Sequence, residues 1–261
     1  MKIPASLKPL ILSAIRAIPP LERRLLPSAG YRRIAHDEFL RQIEKPSAWT
    51  NDRSAAWQQR AYDGLLADMA AGRPRKDFSV AAEAVDAAGI DRPSLLEVGC
   101  GGGYYSAVFK ALAHSQPDYV GSDYSEAMVA SARQRFPGID VRVADSTRLP
   151  FADDSFDIVF EGVSLMHIPD YRQAIREIAR VARSHAIFHC VPIFEDHPTE
   201  YLFKYAYGAP ATEMVFGREE IERVFADAGL IVERSWHVLD YDVFAAVGAH
   251  SYVRTYLCRV A

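Results

Sequence analysis

The chain has 261 residues, of which 49% are hydrophobic and 25% charged, a composition typical of a globular protein that can bury a substantial core. Its formal net charge of −4 gives no global reason to expect a nucleic-acid partner. Three widely separated cysteines without a Cys-x-x-Cys pattern favour a reducing cytoplasm, and no apolar run reaches the roughly 18 residues that a membrane-spanning helix needs.

The first 33 residues are strongly basic, with seven Lys and Arg residues and the single acid Glu22. Apolar residues recur at helical spacing between Leu7 and Ile18, and Pro19-Pro20 ends the pattern. We interpret this segment as a basic amphipathic helix. The helix either lies as a cap on the rest of the chain or makes a weak contact with a membrane surface or a partner protein.

A helix-rich region follows and contains Trp49, Trp57 and Tyr62. These large aromatic side chains either face a ligand or belong to the core. We therefore divide the chain into an N-terminal helical cap region, residues 1–88, and a second domain, residues 89–261. The predicted helices of the cap lie near residues 32–44, 53–71 and 77–88.

A glycine-rich loop follows the first apolar strand-like run, with glycine at positions 99, 101, 102 and 103. Glycine accepts positive φ and lets a ligand approach the backbone, so such a loop before a helix N-terminus suits a nucleotide-like ligand. A dinucleotide fingerprint that begins at Gly99 would need glycine at position 104, where the chain has Tyr104. The pattern here is Glu-x-Gly-x-Gly-x-Gly, and it begins at Glu97.

Beyond this loop, strand-like apolar runs alternate with helix-like stretches. The alternation predicts an α/β fold with a parallel, doubly wound sheet. The predicted strands lie near residues 119–123, 140–144, 156–161, 186–191, 230–236 and 252–260, and the predicted helices near residues 125–135, 171–183 and 218–228.

Two acids follow successive strands. Asp123 lies 20 residues beyond Gly103, where nucleotide-binding α/β folds place a carboxylate that accepts ribose hydroxyls, although Asp123 could instead cap the next helix. Asp145 follows the third strand, ahead of a Leu-Pro-Phe sequence at 149–151 and Asp-Ser-Phe-Asp at 154–157. Together with the glycine loop, these motifs closely resemble those of the class I S-adenosylmethionine-dependent methyltransferases, in the small-molecule, type 11-like branch.

The resemblance implies a Rossmann-like doubly wound seven-stranded sheet, with its last strand antiparallel, and S-adenosyl-L-methionine as the cofactor. In this family a strand-terminal acid and the glycines hold the methionine and ribose parts, and the acid after the third strand receives the adenine amino group. One departure is that residues 181–186 replace the family's Pro-Gly-Gly turn before the fifth strand. The candidate cofactor-binding residues are Glu97, Gly99, Cys100, Gly101, Gly103, Asp123, Tyr124, Met128, Ala144, Asp145, Ser146, Glu161 and Gly162.

Two histidines are candidate catalytic bases. A hydroxyl acceptor has a high pKa, so an imidazole within reach would help to remove its proton. His167 and His197 both follow predicted strands at the carboxyl edge of the sheet, where α/β proteins bind ligands. His167 could instead pack under its loop and bond a backbone carbonyl. No metal site is predicted, because no Cys pairs with these histidines or with His189.

Four aromatic residues, at positions 201, 203, 205 and 207, follow the fifth strand. This family inserts its substrate-recognition elements there, so the resemblance implies an aromatic lid over the acceptor. The alternative is a packed aromatic patch.

The predicted activity is methyl transfer from S-adenosylmethionine to an O, N or C atom of a small, aromatic or amphipathic metabolite. The sequence after the fourth strand, which begins at Glu161, lacks the Asp/Asn-Pro-Pro-aromatic pattern of nucleic-acid amino-methylases. We expect a monomer or a homodimer with a small-molecule partner and no nucleic acid. The alternative function is a cofactor-binding scaffold, or a membrane-associated partner protein that uses the basic N-terminal helix.

Overall fold

The computed structural model describes residues 31–43, 52–206, 209–240 and 242–261. The predicted amphipathic helix, Trp49 and Tyr207 lie outside these ranges. Of the helices that the structure describes, none combines the length and the apolar character needed to cross a membrane. These helices are α1 (His36–Ile43), α2 (Asp52–Ala70), α3 (Lys76–Ala87), α4 (Tyr104–Leu112), α5 (Glu126–Arg135), α6 (Tyr171–Val181), α7 (Arg218–Asp227) and α8 (Phe244–Val247), with one 3-10 turn at Leu165–His167.

The strands of the described residues are β1 (Arg32–Ile34), β2 (Ser94–Val98), β3 (Asp118–Asp123), β4 (Asp140–Val143), β5 (Phe156–Gly162), β6 (Ala182–Phe194), β7 (Glu200–Ala206), β8 (Ala209–Gly217), β9 (Leu230–Asp240) and β10 (Tyr252–Val260). Seven of these strands form the predicted Rossmann-like doubly wound sheet. Strands β4, β3, β2, β5 and β6 lie side by side in that order and run parallel. Strand β10 pairs antiparallel with β6, and β9 pairs antiparallel with β10. The antiparallel last strand is therefore confirmed.

Three further strands extend this sheet, and the sequence analysis missed all of them. Strands β1, β7 and β8 pair antiparallel, and β8 joins β6 where Ile193 lies beside Phe216. The periodicity of β7 is hard to recognise because both of its faces are covered, so that buried Leu202 and Phe203 follow one another. The predicted helix at 32–44 is correspondingly shorter, since β1 takes up its first turn.

The central strands are buried on both faces. Leu95, Leu96 and Val98 of β2 are at most 1% exposed, as expected for a parallel strand with helices on both sides. Phe78 of α3 packs in the same apolar cluster as Leu95 and Phe160. The helices before residue 88 therefore share a core with the sheet, and the division at residues 88 and 89 stays a prediction.

The departure from the family's fifth-strand turn has a simple structural outcome. Helix α6 begins at the cap Asp170, whose side chain accepts the N–H of Gln173, and it ends at Val181. Strand β6 begins directly at Ala182. The chain thus passes from helix to strand at the amino end of β6, away from the edge where ligands bind.

Candidate active site

A cavity of about 820 Å³ opens at the carboxyl edge of the parallel strands, the edge where α/β folds bind ligands. The loops after β2, β3, β4 and β5 line it, and so do Lys204, Thr212 and Glu213 of β7 and β8. Ten of the predicted cofactor residues meet there: Gly99, Cys100, Gly101, Asp123, Tyr124, Met128, Ala144, Asp145, Ser146 and Gly162.

The glycine loop approaches the loop after β5 too closely for a side chain. Gly99, Gly101 and Gly103 have φ of 72°, 51° and 73°, in the region that favours glycine. A Cβ added at Gly99 would lie 2.1 Å from Oγ of Ser164. The loop therefore presents bare backbone to the cavity, which fits a cofactor that must lie against it.

The carboxylate of Asp123 fixes the glycine loop to the end of β3. Its Oδ2 accepts the N–H of Gly101 at 2.8 Å, and its Oδ1 accepts the N–H of Ser125 at 2.9 Å. The cap of α5 is Ser125, whose Oγ accepts the N–H of Met128 at 3.3 Å. Burial raises the pKa of Asp123, and the two amide hydrogen bonds oppose this rise. Each carboxylate oxygen has a second lone pair, so Asp123 remains able to accept ribose hydroxyls.

The end of the cavity near β4 suits a flat heteroaromatic ring. The Oδ1 atom of Asp145 accepts both the N–H and the hydroxyl of Thr147 at 2.8 Å. Tyr124 is 52% exposed, whereas Met128 is buried. An aromatic face, an apolar floor and an exposed carboxylate together match the adenine role that the resemblance gives to this region.

Glu97, Glu161 and Gly103 are the predicted cofactor residues that do not line the cavity. Glu97 is an interior residue of β2, and its Oε2 accepts the hydroxyl of Tyr119 at 2.5 Å. Its Oε1 has no hydrogen-bond partner. This oxygen also excludes a side chain at Gly162, because a Cβ added there would lie only 2.3 Å from it. Burial raises the pKa of Glu97 well above its usual value. Glu97 thus supports the site from inside the sheet.

Glu161 holds the turn that leads to His167. Its Oε1 accepts the N–H of Ser164 at 2.7 Å and the Ser164 hydroxyl at 2.5 Å, while its Oε2 is buried without a partner. Burial raises the pKa of Glu161 to about 7, although the bonds from Ser164 oppose this rise. A carboxyl group that titrates near neutrality therefore lies directly behind the cavity wall.

His167 is the predicted base that the structure brings to the cavity. Its Nδ1 lies 2.7 Å from the carbonyl oxygen of Thr212, so Nδ1 donates its proton there and Nε2 is the acceptor of the neutral ring. Burial lowers the pKa of His167, and the charge of Glu213 opposes this. The ring both bonds a backbone carbonyl and reaches the cavity, which combines the two alternatives that the sequence left open.

His197 does not line the cavity. Its Nδ1 lies 2.9 Å from the carbonyl oxygen of Pro198, and its ring centroid is 4.8 Å from that of Phe194.

The premise that no Cys pairs with the histidines fails, because Sγ of Cys190 lies 3.2 Å from Nε2 of His189.

Strands β7 and β8 bring to the cavity an ion pair that sequence reasoning missed. The ammonium group of Lys204 pairs with the carboxylate of buried Glu213 and donates to the hydroxyl of Tyr31 at 2.7 Å. Leu202 faces Glu213 across the antiparallel pair, and Lys204 faces Ala211. This register puts Lys204 and Glu213 on the same face of the sheet. Because the sequence predicted neither strand, it could not show that the two side chains meet.

Two aromatic residues of β7, Tyr201 and Phe203, pack away from the cavity. Tyr201 lies against Phe39 of α1, with ring centroids 5.0 Å apart, and Phe203 is buried in the main core. Successive side chains alternate across a strand, and Lys204 occupies the cavity face. For these two residues the packed patch, and not the lid, is the correct alternative.

The remaining wall comes from α2, α3 and α4. Tyr62 stacks on Tyr104 with ring centroids 3.7 Å apart, so it both faces the cavity and packs against the glycine-loop helix. Arg75, just before α3, binds both carboxylate oxygens of buried Asp77. No sequence pattern identified Arg75 or Asp77, since a charge at a helix start is usually solvated.

Residues 96–190 match a family model described as a methyltransferase domain. A Mycolicibacterium smegmatis protein named as a probable S-adenosylmethionine-dependent methyltransferase is 36% identical over 94 residues, or 36% of this chain and 35% of that protein. A demethylmenaquinone methyltransferase of Shouchella clausii is 31% identical over 119 residues, or 44% of this chain and 50% of that protein. The chain thus spans half or less of the length of these relatives.

A solved structure shares the fold. The 1,6-didemethyltoxoflavin-N1-methyltransferase of Burkholderia thailandensis, crystallised with 1,6-didemethyltoxoflavin and S-adenosylhomocysteine, aligns with a TM-score of 0.53 at 17% identity. The alignment covers 79% of this chain and 89% of that one. The family match thus bears out a methyltransferase domain over residues 96–190, and the solved structure shows the shared fold. The relative named for S-adenosylmethionine supports that cofactor.

Replacement of Asp123 tests its predicted ribose role. We expect Asp123→Ala to weaken S-adenosylhomocysteine binding by about 1–3 kcal/mol, the scale of a lost hydrogen bond to a charged group, measured by isothermal titration calorimetry. Asp118→Ala, at the exposed opposite end of the same strand, is the matched control and should bind as the wild type does. Equal affinity of the two variants would remove Asp123 from the site.

The raised pKa of Glu161 predicts a pH-dependent stability. The folded state retains a proton on Glu161 up to about pH 7, whereas the unfolded chain loses it near its usual value of about 4.3. The stabilising effect is therefore complete below the unfolded pKa and is lost as the pH rises through the folded one. We expect the wild type to lose about 1 kcal/mol of unfolding free energy per pH unit over this interval, relative to Glu161→Gln.

Denaturant unfolding at a series of pH values measures this difference. Glu219→Gln, at an exposed position of α7, is the control and should reproduce the slope of the wild type. A slope that is unchanged in Glu161→Gln contradicts the assignment.

Proposed function

We propose that this chain transfers a methyl group from S-adenosylmethionine to a small, aromatic or amphipathic metabolite in the cytoplasm. The main support is that one cavity is lined both by the glycine loop and Asp123 and by His167, Lys204 and Glu213. Cofactor and acceptor could therefore lie in the same space. The three cysteines are free thiols, in keeping with a reducing compartment.

Methyl transfer from a sulfonium ion is an in-line displacement. The protein chiefly has to hold the acceptor atom near the methyl carbon and exclude water. The bare glycine loop and the carboxylate of Asp123 would bind the cofactor from the side of the parallel sheet, and β7 and β8 would present the acceptor. S-adenosylmethionine itself supplies the activated methyl group.

His167 is suited to act as the general base for a hydroxyl acceptor. Its bond to the Thr212 carbonyl fixes the ring with Nδ1 protonated, so Nε2 is the atom that can take a proton. Because burial lowers the pKa of His167, the ring is neutral at pH 7. The imidazole would therefore be in the form that a base requires.

The rest of the cavity suits an acceptor with an apolar body and a polar group. Ile168, Pro192 and Leu239 line it together with Lys204 and Glu213, and most ligand sites combine a largely apolar wall with a few fixed polar groups. The relative named for demethylmenaquinone supports a small molecule of this general class. The oligomeric state and a membrane contact of residues 1–30 stay predictions.

Binding and turnover test the proposed function separately. Calorimetry should show S-adenosylmethionine and S-adenosylhomocysteine binding to the full chain, and no binding at millimolar concentration would exclude the cofactor. Turnover is then measured by S-adenosylhomocysteine release with a panel of phenols, quinols and amphipathic amines. Cofactor binding without release on any member would favour the scaffold alternative.

The role of His167 has its own test. For a hydroxyl acceptor we expect His167→Ala to lower kcat about 10²–10⁴-fold, the usual effect of losing a general base, with little change in cofactor affinity. The kcat of the wild type should fall as the pH drops through the lowered pKa of His167. His197→Ala is the matched control, because His197 lies outside the cavity, and it should retain the wild-type rate and pH profile.

If His167→Ala retains at least half of the wild-type rate, His167 is not the base. If its rate falls but its pH profile keeps the wild-type shape, the residue positions the acceptor and does not move the proton.

A further inference from the structure

Three side chains of the kind that bind metals lie together beside the cavity. One ligand atom each of Asp77, His189 and Cys190 lies within 4.8 Å of the other two. The three residues are 2%, 0% and 6% exposed, and Asp77 and Cys190 line the cavity. They belong to two separate elements, α3 and β6, so the fold alone brings them together.

A β-bulge makes this arrangement possible. On β10, Arg254 pairs with Val191 and Tyr256 pairs with Phe188, with a register shift between them. Two residues of β6, His189 and Cys190, therefore lie opposite the single residue Thr255. In a regular strand consecutive side chains point to opposite faces, whereas here Sγ of Cys190 comes within 3.2 Å of Nε2 of His189. Cys190 also has a φ of 56°, which is uncommon outside glycine.

Thr255 orients the histidine for this role. Its Oγ1 lies 2.8 Å from Nδ1 of His189 and can accept the proton of Nδ1. In that tautomer Nε2 faces the thiol with its lone pair. A metal-binding histidine usually makes a hydrogen bond through its other ring nitrogen, and this bond fixes the tautomer and the orientation of the ring.

We propose that Asp77, His189 and Cys190 bind a thiophilic divalent cation, with Zn²⁺ as the best match. Zn²⁺ combines Cys, His and carboxylate ligands, and sites with three protein ligands keep a fourth position open. Tetrahedral coordination with usual bond lengths separates the ligand atoms by about 3.3–3.6 Å. Movements of about 1 Å would bring the three groups to these distances, and the thiol proton is released as the Zn–S bond forms.

The charges define what the open position accepts. Arg75 binds both oxygens of Asp77, but a carboxylate has about four lone-pair sites, so Asp77 can also bind a cation. With Zn²⁺, a thiolate, Asp77 and Arg75 the cluster carries one positive charge. An anionic fourth ligand on the cavity side, such as hydroxide or an ionised oxygen or sulfur of a bound small molecule, would neutralise it.

A nearby hydroxyl group supports a ligand in this place. Tyr105 is fully buried, and its hydroxyl has no hydrogen-bond partner, which is costly in a protein interior. Its ring contacts that of His189 edge to face, with centroids 5.3 Å apart. A water or hydroxide on the metal would offer this hydroxyl a partner.

Metal binding is independent of methyl transfer, so it is tested on the full-length, chelator-treated chain without substrate. Titration with Co²⁺ should give one equivalent bound, with a near-ultraviolet thiolate-to-cobalt charge-transfer band, and Zn²⁺ should displace it. Dialysis against Zn²⁺ followed by elemental analysis should give one Zn²⁺ per chain. Absence of the band, or less than one-tenth of an equivalent of zinc, overturns the proposal whatever the catalytic activity is.

Variants assign the site. Cys190→Ala should abolish the band, whereas Cys258→Ala, at another buried thiol outside the cluster, should keep it. Thr255→Val preserves the side-chain shape and should weaken metal binding about 10–100-fold, the usual effect of losing the outer hydrogen bond. Thermal unfolding and S-adenosylhomocysteine affinity confirm that each variant is folded. If the band persists in Cys190→Ala, or if Thr255→Val binds Co²⁺ as the wild type does, the metal lies elsewhere and the proposal is wrong.

Discussion

The close approach of the chain after β2 to the chain after β5 is the constraint on which the site depends. At Gly99 the space of a Cβ is occupied by the hydroxyl of Ser164, and at Gly162 it is occupied by the carboxylate of Glu97. The ends of two neighbouring parallel strands thus come so close together that neither glycine position has room for a side chain of its own. The backbone of the loop remains accessible to the cavity, and Asp123 holds it there through the N–H of Gly101.

Carboxyl groups surround this contact. Glu97, Glu161 and Asp123 are all buried, and burial raises the pKa of each one. Their partners are hydroxyl groups and backbone N–H groups, and no cation is among the hydrogen-bond partners that the structure gives them. Protonation of these groups therefore relieves the cost of burying charge.

The additional antiparallel strands determine the second half of the site. The seven-stranded sheet supplies the glycine loop and the two acids after β3 and β4, and β7 and β8 add Lys204 and Glu213 on the face opposite Tyr201 and Phe203. His167 connects the two parts, since it follows β5 and bonds the carbonyl of Thr212 in β8. The parallel sheet and the additional strands thus line different parts of one cavity.

The sequence by itself determined the parallel sheet, the glycine loop and the places of Asp123 and Asp145, because these features depend on local periodicity and on short spacings between neighbouring positions. It could not determine that Glu97 supports the loop from inside, that Tyr201 and Phe203 pack against α1, or that Lys204 faces the cavity. Those outcomes depend on strand pairing between distant segments, and a shift of one residue exchanges the two faces of a strand. The bulge that joins His189 to Cys190 was decided in the same way, because its register comes from β10, more than sixty residues further along the chain.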